Sequence, residues 1–305
     1  MTLSKGRYLD EQQAVSSERN IQSHLFLSPA KVNLFLRVLR KRDDGYHDIV
    51  SLMQPISLYD EIILEIEKGT GISVECDNSS IPIDKTNLAY KAATAFFKAA
   101  GINKRLTIRI KKNIPVAAGL GGGSSNAATV LKALNEITSA NISKEDLIKI
   151  GVSLGSDIPF FIIDKSCIAK GRGEVLEPVE LPRFWYVLVN PNFPVSTQWV
   201  YQNLNLTKSR GDINIAISKV FPKDPIEIQG LLVNDLETVT VRKYPEIKEI
   251  KKVLLNFGAT GALMSGSGPT VFGIFFDEDR ARKAFEQIKK DHTFKGMAVF
   301  AAQGL

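Results

Sequence analysis

Apolar and polar positions alternate most clearly in PAKVNLFLRVL, residues 29–39. Ala30, Val32, Leu34, Leu36 and Val38 interleave with Lys31, Asn33, Phe35 and Arg37. A period of two is that of a β-strand with one buried face, which puts Lys31 and Asn33 together on the opposite side. DEIILEIE (60–67), GISVEC (71–76) and LTIRI (106–110) read as further strands, and DDGYHDI (43–49) as a turn. The period changes to that of a helix in TNLAYKAATAFFKAAG (86–101), which Gly101 ends. A second helix follows a glycine cluster, with Ala127, Leu131, Leu134 and Ile137 or Thr138 on one face. A third spans 143–155, with Ser143 as its N-cap and Asp146 placed to support the first turn. The apolar run in DIPFFII (157–163) is expected to break that helix and enter a buried strand.

Two prolines flanking acidic residues in EPVELPRF (177–184) mark an expected boundary. Beyond it come strand WYVLVN, helical segments, strand GALMS, strand TVFGIFF, helix DRARKAFEQIKK and strand GMAVFAA. That order is β-α-β-β-α-β with helical insertions, a ferredoxin-like pattern. Within it, PEIKEIKKVLLNFG has Pro245 in its first turn and Gly258 just past its end, as a helix expects. The expectation is an α+β protein of two domains. An N-terminal α/β domain covers 24–180, a ferredoxin-like domain covers 181–305, and 1–23 form a frayed polar tail.

Composition narrows the class. A chain of 305 residues, 44% hydrophobic and 24% charged, can build such cores without disulfides or structural metals. The net charge is +6 and the pI about 9.1, but the basic residues are scattered. Small polyanionic ligands suit that balance as well as nucleic acid does, and a nucleic-acid reading rests on pI alone. Cys76 and Cys167 are far apart and the three histidines are scattered, which leaves neither a zinc spacing nor a disulfide framework. A reducing cytoplasm is the expected setting. No apolar run approaches the roughly 20 residues of a membrane span. The first 23 residues lack a secretory core, and Asp10, Glu11 and Glu18 argue against a transit peptide.

The chemistry centres on IPVAAGLGGGSSNAATVL, residues 114–131. A glycine cluster alone is often only a turn. Here a nest of backbone N–H groups runs straight into a helix N-terminus, which concentrates positive potential for phosphate. Ser124 and Ser125 are placed to cap that helix or to bind phosphate oxygens or Mg²⁺. The loop has no lysine, so it is not a P-loop, and Ser124 fills the last glycine slot of the dinucleotide fingerprint. Taken singly, Lys31 reads as an exposed strand lysine, Asp157 as a structural acid, GYH (45–47) as a turn and SGSGPT (265–270) as a β-turn.

Together these segments say more. PAKVNLFL, PVAAGLGGGSSNAA and SGSGPTVFGIF resemble the three motifs of the GHMP small-molecule kinases. With DDGYHDI, GSDIPFF and NDLE added, the resemblance narrows to members acting on a cytidine diphosphate sugar alcohol of the non-mevalonate isoprenoid pathway, and runs from about Ser28 to the C-terminus. It implies a two-domain GHMP kinase fold and transfer of the ATP γ-phosphate to the acceptor's 2-hydroxyl. By resemblance Asp157 is the catalytic aspartate, and Lys31 projects toward it and the acceptor hydroxyl. Whether Asp157 removes the proton or only orients the hydroxyl stays open. ATP contacts fall on Lys112, Pro115, Ala117, Ala118, Gly119, Leu120, Gly121, Gly122, Gly123, Ser124 and Ser125. Substrate contacts fall on Asn33, Tyr46 stacking on cytosine, His47 reading its edge, Tyr201 as a second ring, Thr197 near the diphosphate, and Gly266, Ser267 and Gly268. For Tyr201, core packing is a live alternative. Mg²⁺ is implied, with no acidic ligand announced near the loop. The implied partners are ATP and the acceptor, with no nucleic acid or membrane, in a monomer or weak homodimer. A sibling kinase acting on homoserine or mevalonate is the alternative, and the GYH turn separates the two. A nucleotide binder that has lost catalysis is a third, opposed by the presence of both Lys31 and Asp157.

Overall fold

Two long strands organise the molecule. In the computed structural model, which describes residues 22–206, 228 and 230–305, β1 (Gln22–Lys41) and β2 (His47–Glu67) run antiparallel along nearly their whole length. Both outrun the alternation read from sequence. Gln22 and Ser23, expected in the tail, are the first residues of β1, and the rest of that tail, 1–21, lies outside the described residues. His47–Tyr59 shows no clean alternation because most of it is buried on both faces. Residues Ser28–Leu36 of β1 are likewise all buried, so Lys31 and Asn33 share a face, but not an exposed one.

Strands β3 (Gly71–Cys76) and β4 (Arg105–Lys111) extend the sheet beside β2, with β8 (Val233–Asn234) at the far edge of β1. The outer edge of β2 is shared: β4 pairs with its residues 61–67, and β5 (Cys167–Gly171) with 49–53. A hairpin joins β5 to β6 (Val175–Pro178), completing seven strands. Neither β5 nor β6 is anticipated by the pattern of polar and apolar positions.

Helices α1 (Leu88–Ala100), α2 (Gly122–Ile137), α3 (Lys144–Leu154) and α4 (Ile158–Ile163) pack on this sheet around Phe96, Leu106, Leu131 and Phe160. Asn87 caps α1 and Ser143 caps α3 through side-chain oxygens, and Gly101 closes α1 in the left-handed region. The expected strand at 157–163 is instead α4. A short apolar run does not distinguish a buried strand from a buried helix. Pro159 in the first turn and left-handed Asp164 at the end suit the helix.

The second sheet holds β7 (Trp185–Asn190), β9 (Gly261–Met264), β10 (Val271–Phe275) and β11 (Ala298–Gln303) in the order β11-β7-β10-β9, all antiparallel. This is the ferredoxin-like arrangement. Between β7 and β9 the chain also forms α5 (Thr197–Gln202), α6 (Glu237–Lys243) and α7 (Glu246–Asn256), and α8 (Glu278–Lys290) connects β10 to β11. Helices α7 and α8 cover one face of the sheet through Ile250, Leu254, Ala284 and Ile288. The other face shares a core with the first sheet, where Phe184, Tyr186 and Phe272 meet Ile56, Leu52 and Val32. The protein is therefore α+β, built on two sheets.

Candidate active site

The glycine loop turns under α2. Its last residue, Gly121, is the helix N-cap at φ 72°, with no side-chain cap, so the first-turn N–H groups lack intrahelical partners. Of the two roles read for the serines, neither takes that of capping the helix. Ser125 points inward and its Oγ accepts from Ser28 Oγ at 2.8 Å, while Ser124 faces the cavity in front of the loop. The helical period explains this split, since adjacent residues point about 100° apart. Gly119 is required by contact as well as by its φ of 77°: a Cβ there would stand 2.0 Å from the Ser265 carbonyl oxygen. The glycine loop and the 265–270 loop thus touch backbone to backbone.

Lys31 lies beneath this contact, buried on β1. Its Nζ donates to Asn33 Oδ1 at 2.6 Å and to Gly119 O at 2.8 Å. Asn33 is fixed in turn, donating from Nδ2 to Ser51 Oγ, which donates to Phe35 O. An ammonium has three protons, and the third has no partner among the described residues. Burial pulls the Lys31 pKa down from 10.5, and the charge of Asp157 opposes that fall. Asp157 is positioned by the sharp passage from α3 into α4, where it is the N-cap residue but makes no capping bond. Its carboxylate has no hydrogen bond or ion pair among the described residues, and it lines the same cavity as Lys31. Tyr201 is close enough that burial first, and then Asp157, push its phenol well up.

Lys112 is differently committed. It forms a buried ion pair with Asp60, which also accepts from the backbone N–H groups of Asn113 and Ile114. Its ammonium still sits against the start of α2, 3.0 Å from where a Cβ on Gly122 would stand. The Tyr46 ring is 54% exposed and carries the Arg172 guanidinium 5.0 Å from its centroid. His47 stacks on Tyr201 with centroids 4.9 Å apart. Burial and the charge of Lys41 hold His47 below the usual histidine range. Thr197 Oγ1 and Ser267 Oγ are hydrogen-bonded at 2.8 Å.

A single cavity of about 1030 Å³ joins these groups. Of the residues expected from sequence it is lined by Lys31, Asn33, Tyr46, His47, Lys112, Pro115, Ala117, Ala118, Gly119, Gly121, Gly122, Gly123, Ser124, Asp157, Thr197, Tyr201, Gly266 and Ser267. Leu120, Ser125 and Gly268 stand behind the lining; Gly268 is packed against Met264. Arg172 and Gly173 line it too and are missed from sequence, although GRGE between two short apolar runs is a hairpin signal. Lys41, Gln198 and Gln202 line it without any such signal. The described residues contain no cluster of three or more histidines, cysteines or acids able to hold a metal alone. The arrangement suits phosphoryl transfer: N–H groups for phosphates, a carboxylate without a partner among the described residues and a buried ammonium all line one cavity.

Residues 87–165 match the GHMP kinases N terminal domain, and residues 218–292 match the GHMP kinases C terminal family. The 4-diphosphocytidyl-2-C-methyl-D-erythritol kinase of Syntrophotalea carbinolica is 52% identical over 275 residues, covering 90% of this chain and 97% of that protein. Among solved structures, a 4-(cytidine 5'-diphospho)-2C-methyl-D-erythritol kinase superposes with a TM-score of 0.75 at 34% identity, over 92% of this chain and 98% of the other. A homoserine kinase from Cytophaga hutchinsonii superposes with a TM-score of 0.71 at 18% identity, over 96% and 97%. That last likeness is one of fold alone.

Proposed function

The chain belongs to the GHMP kinases and, within them, to the 4-diphosphocytidyl-2-C-methyl-D-erythritol kinases, and we propose that it transfers the γ-phosphate of ATP to the 2-hydroxyl of that cytidine diphosphate sugar alcohol. The observation that carries the mechanism is the Asp157 carboxylate, without a partner among the described residues and acting electrostatically on buried Lys31, in one cavity with the open N-terminus of α2.

The acceptor's 2-carbon carries a methyl group, so its hydroxyl is tertiary, crowded and weakly nucleophilic. Positioning is then the main demand, with a base to receive the proton as the oxygen attacks phosphorus. Asp157 takes that proton. The Lys31 ammonium, held by Asn33 and Gly119 O, turns its third proton to the charge that develops between acceptor oxygen and phosphoryl group. The bond from γ-phosphorus to the bridging oxygen breaks and ADP leaves. The N–H groups of Gly122, Gly123 and Ser124 cradle the ATP phosphates, and Lys112, neutralised by Asp60, shapes the loop from below. Mg²⁺ fits this donor set: Ser124 offers a hard hydroxyl oxygen, and the phosphates and water supply the rest, which is how this ion is usually held. Its contribution is to neutralise phosphate charge.

Tyr46 and Tyr201 supply faces for the cytosine ring. His47, held below the usual histidine range, can offer one ring nitrogen to the cytosine edge. Two free cysteines, one of them buried, suit a reducing cytoplasm, and no helix among the described residues is long and apolar enough to cross a membrane. An ADP-release assay with the cytidine acceptor, homoserine and mevalonate tests the reading. Turnover is expected with the first alone, and absence of signal there, or turnover with either of the others, refutes it.

A further inference from the structure

NDLE, residues 234–237, carries resemblance but has no part in the chemistry above. Asn234 ends β8, which adds in parallel to β1 beside Phe35 and Leu36. Its side chain is buried and fully used. Nδ2 donates to Met264 O at 2.8 Å and Gly266 O at 2.7 Å, and Oδ1 accepts from the Leu236 N–H at 3.0 Å. Asp235 grips β1, accepting from Arg37 at 2.9 Å and from the Val38 N–H at 3.0 Å. Glu237 accepts from the Met264 N–H at 3.0 Å and pairs with Lys251. The motif therefore fastens β1 on one side and the start of the 265–270 loop on the other.

That loop leads directly to the reacting groups. Ser265 Oγ donates to Gly119 O at 2.9 Å, and a Cβ on Gly266 would stand 3.1 Å from the same oxygen. Gly119 O is also an acceptor for the Lys31 ammonium. Three contacts thus link Asn234 to Lys31: Asn234 Nδ2 to Gly266 O, Gly266 against Gly119, and Gly119 O to Nζ.

We propose that Asn234 is a positioning residue for phosphoryl transfer: it holds the 264–266 backbone where Gly119 O meets the Lys31 ammonium, and so sets Lys31 relative to Asp157. The inference rests on the kinase reading above. Without Asn234, two buried carbonyls lose their donors, a cost relieved only if the loop moves toward other partners. A shift near 1 Å in a reacting constellation costs roughly a hundredfold in rate.

The experiment compares Asn234→Ala and the milder Asn234→Ser, which keeps one donor, with the wild-type protein in the ADP-release assay. Rates are taken per folded molecule, alongside thermal melts and pH profiles. Neither substitution adds charge, so Asp157 remains the charged group acting on Lys31. We expect kcat to fall about ten- to a hundredfold in Asn234→Ala and less in Asn234→Ser. The KM for ATP should hardly change. The alkaline limb of kcat should move to lower pH, because a Lys31 ammonium with a displaced acceptor gives up its proton more readily. Variants that melt earlier but keep wild-type kcat and pH profile per folded molecule would show a purely structural residue and overturn this inference alone. No turnover by the wild-type protein overturns the kinase reading, and this inference with it.

Discussion

Asp157 and Lys31 carry the account at the scale of single residues. Asp157→Asn keeps the shape of the N-cap position and removes the proposed base, and Lys31→Ala removes the buried charge. Each should lower kcat by about 10²–10⁴-fold, with ATP binding, followed by equilibrium titration, close to that of the wild type. Wild-type turnover in both would sink the mechanism. The sign of the pH dependence follows from burial. The folded protein holds the Lys31 pKa below 10.5, so the ammonium is lost as pH rises through that lowered value. Activity should therefore fall on the alkaline side earlier than an exposed lysine would dictate. Tyr46 belongs to the proposed cytosine pocket. Ring-on-base stacking is worth about 1–3 kcal/mol, so Tyr46→Ala should raise the KM of the cytidine acceptor by roughly ten- to a hundredfold and leave that of ATP unchanged. A change confined to ATP would put the base pocket elsewhere.

At the scale of elements, the site depends on loops that meet backbone to backbone. Gly119 and Gly45 both have positive φ, but they differ in surroundings: a Cβ on Gly119 strikes the Ser265 carbonyl, and one on Gly45 meets nothing within 4 Å. Gly45→Ala should cost only the left-handed backbone penalty, about 1–2 kcal/mol. Gly119→Ala adds overpacking of about 1–3 kcal/mol and should be the more destabilising by that margin in urea melts. Equal midpoints would mean that the two loops are not in contact. The same element level shows what the sequence reveals and what it hides. The Gly101 stop of α1 and the Ser143 cap of α3 are local features, so these helix ends are legible from residue type alone. The 47–59 part of β2 is not, because its burial is imposed by β1 and β5, partners distant in sequence. The strand expected at 157–163 and the helix observed differ for a related reason: an apolar run records burial, and tertiary packing decides the backbone.

For the whole molecule, the proposed mechanism draws from neighbours of the glycine loop what a P-loop carries within itself. Lys31 comes from β1, Asp157 from the junction of α3 and α4, and the 265–270 loop from the second sheet. Motif residues such as Lys31, Asp157 and Thr197 could be assembled from sequence through resemblance, and the fold brings them to one cavity. Arg172 over Tyr46 and the stack of His47 on Tyr201 could not, since ring contacts across three separate elements leave no periodic trace. The homoserine kinase likeness shows how far architecture alone goes: the fold is shared, and a shared fold does not fix the acceptor.

The central claim is that phosphate arrives on the tertiary 2-hydroxyl of the cytidine acceptor, and ³¹P NMR of the reaction with ATP and Mg²⁺ tests it most directly. The predicted result is ADP together with a new phosphomonoester signal that shows no three-bond proton coupling, because the 2-carbon bears no hydrogen. A monoester signal split by protons on its own carbon, or ADP without any new ester, would contradict the account.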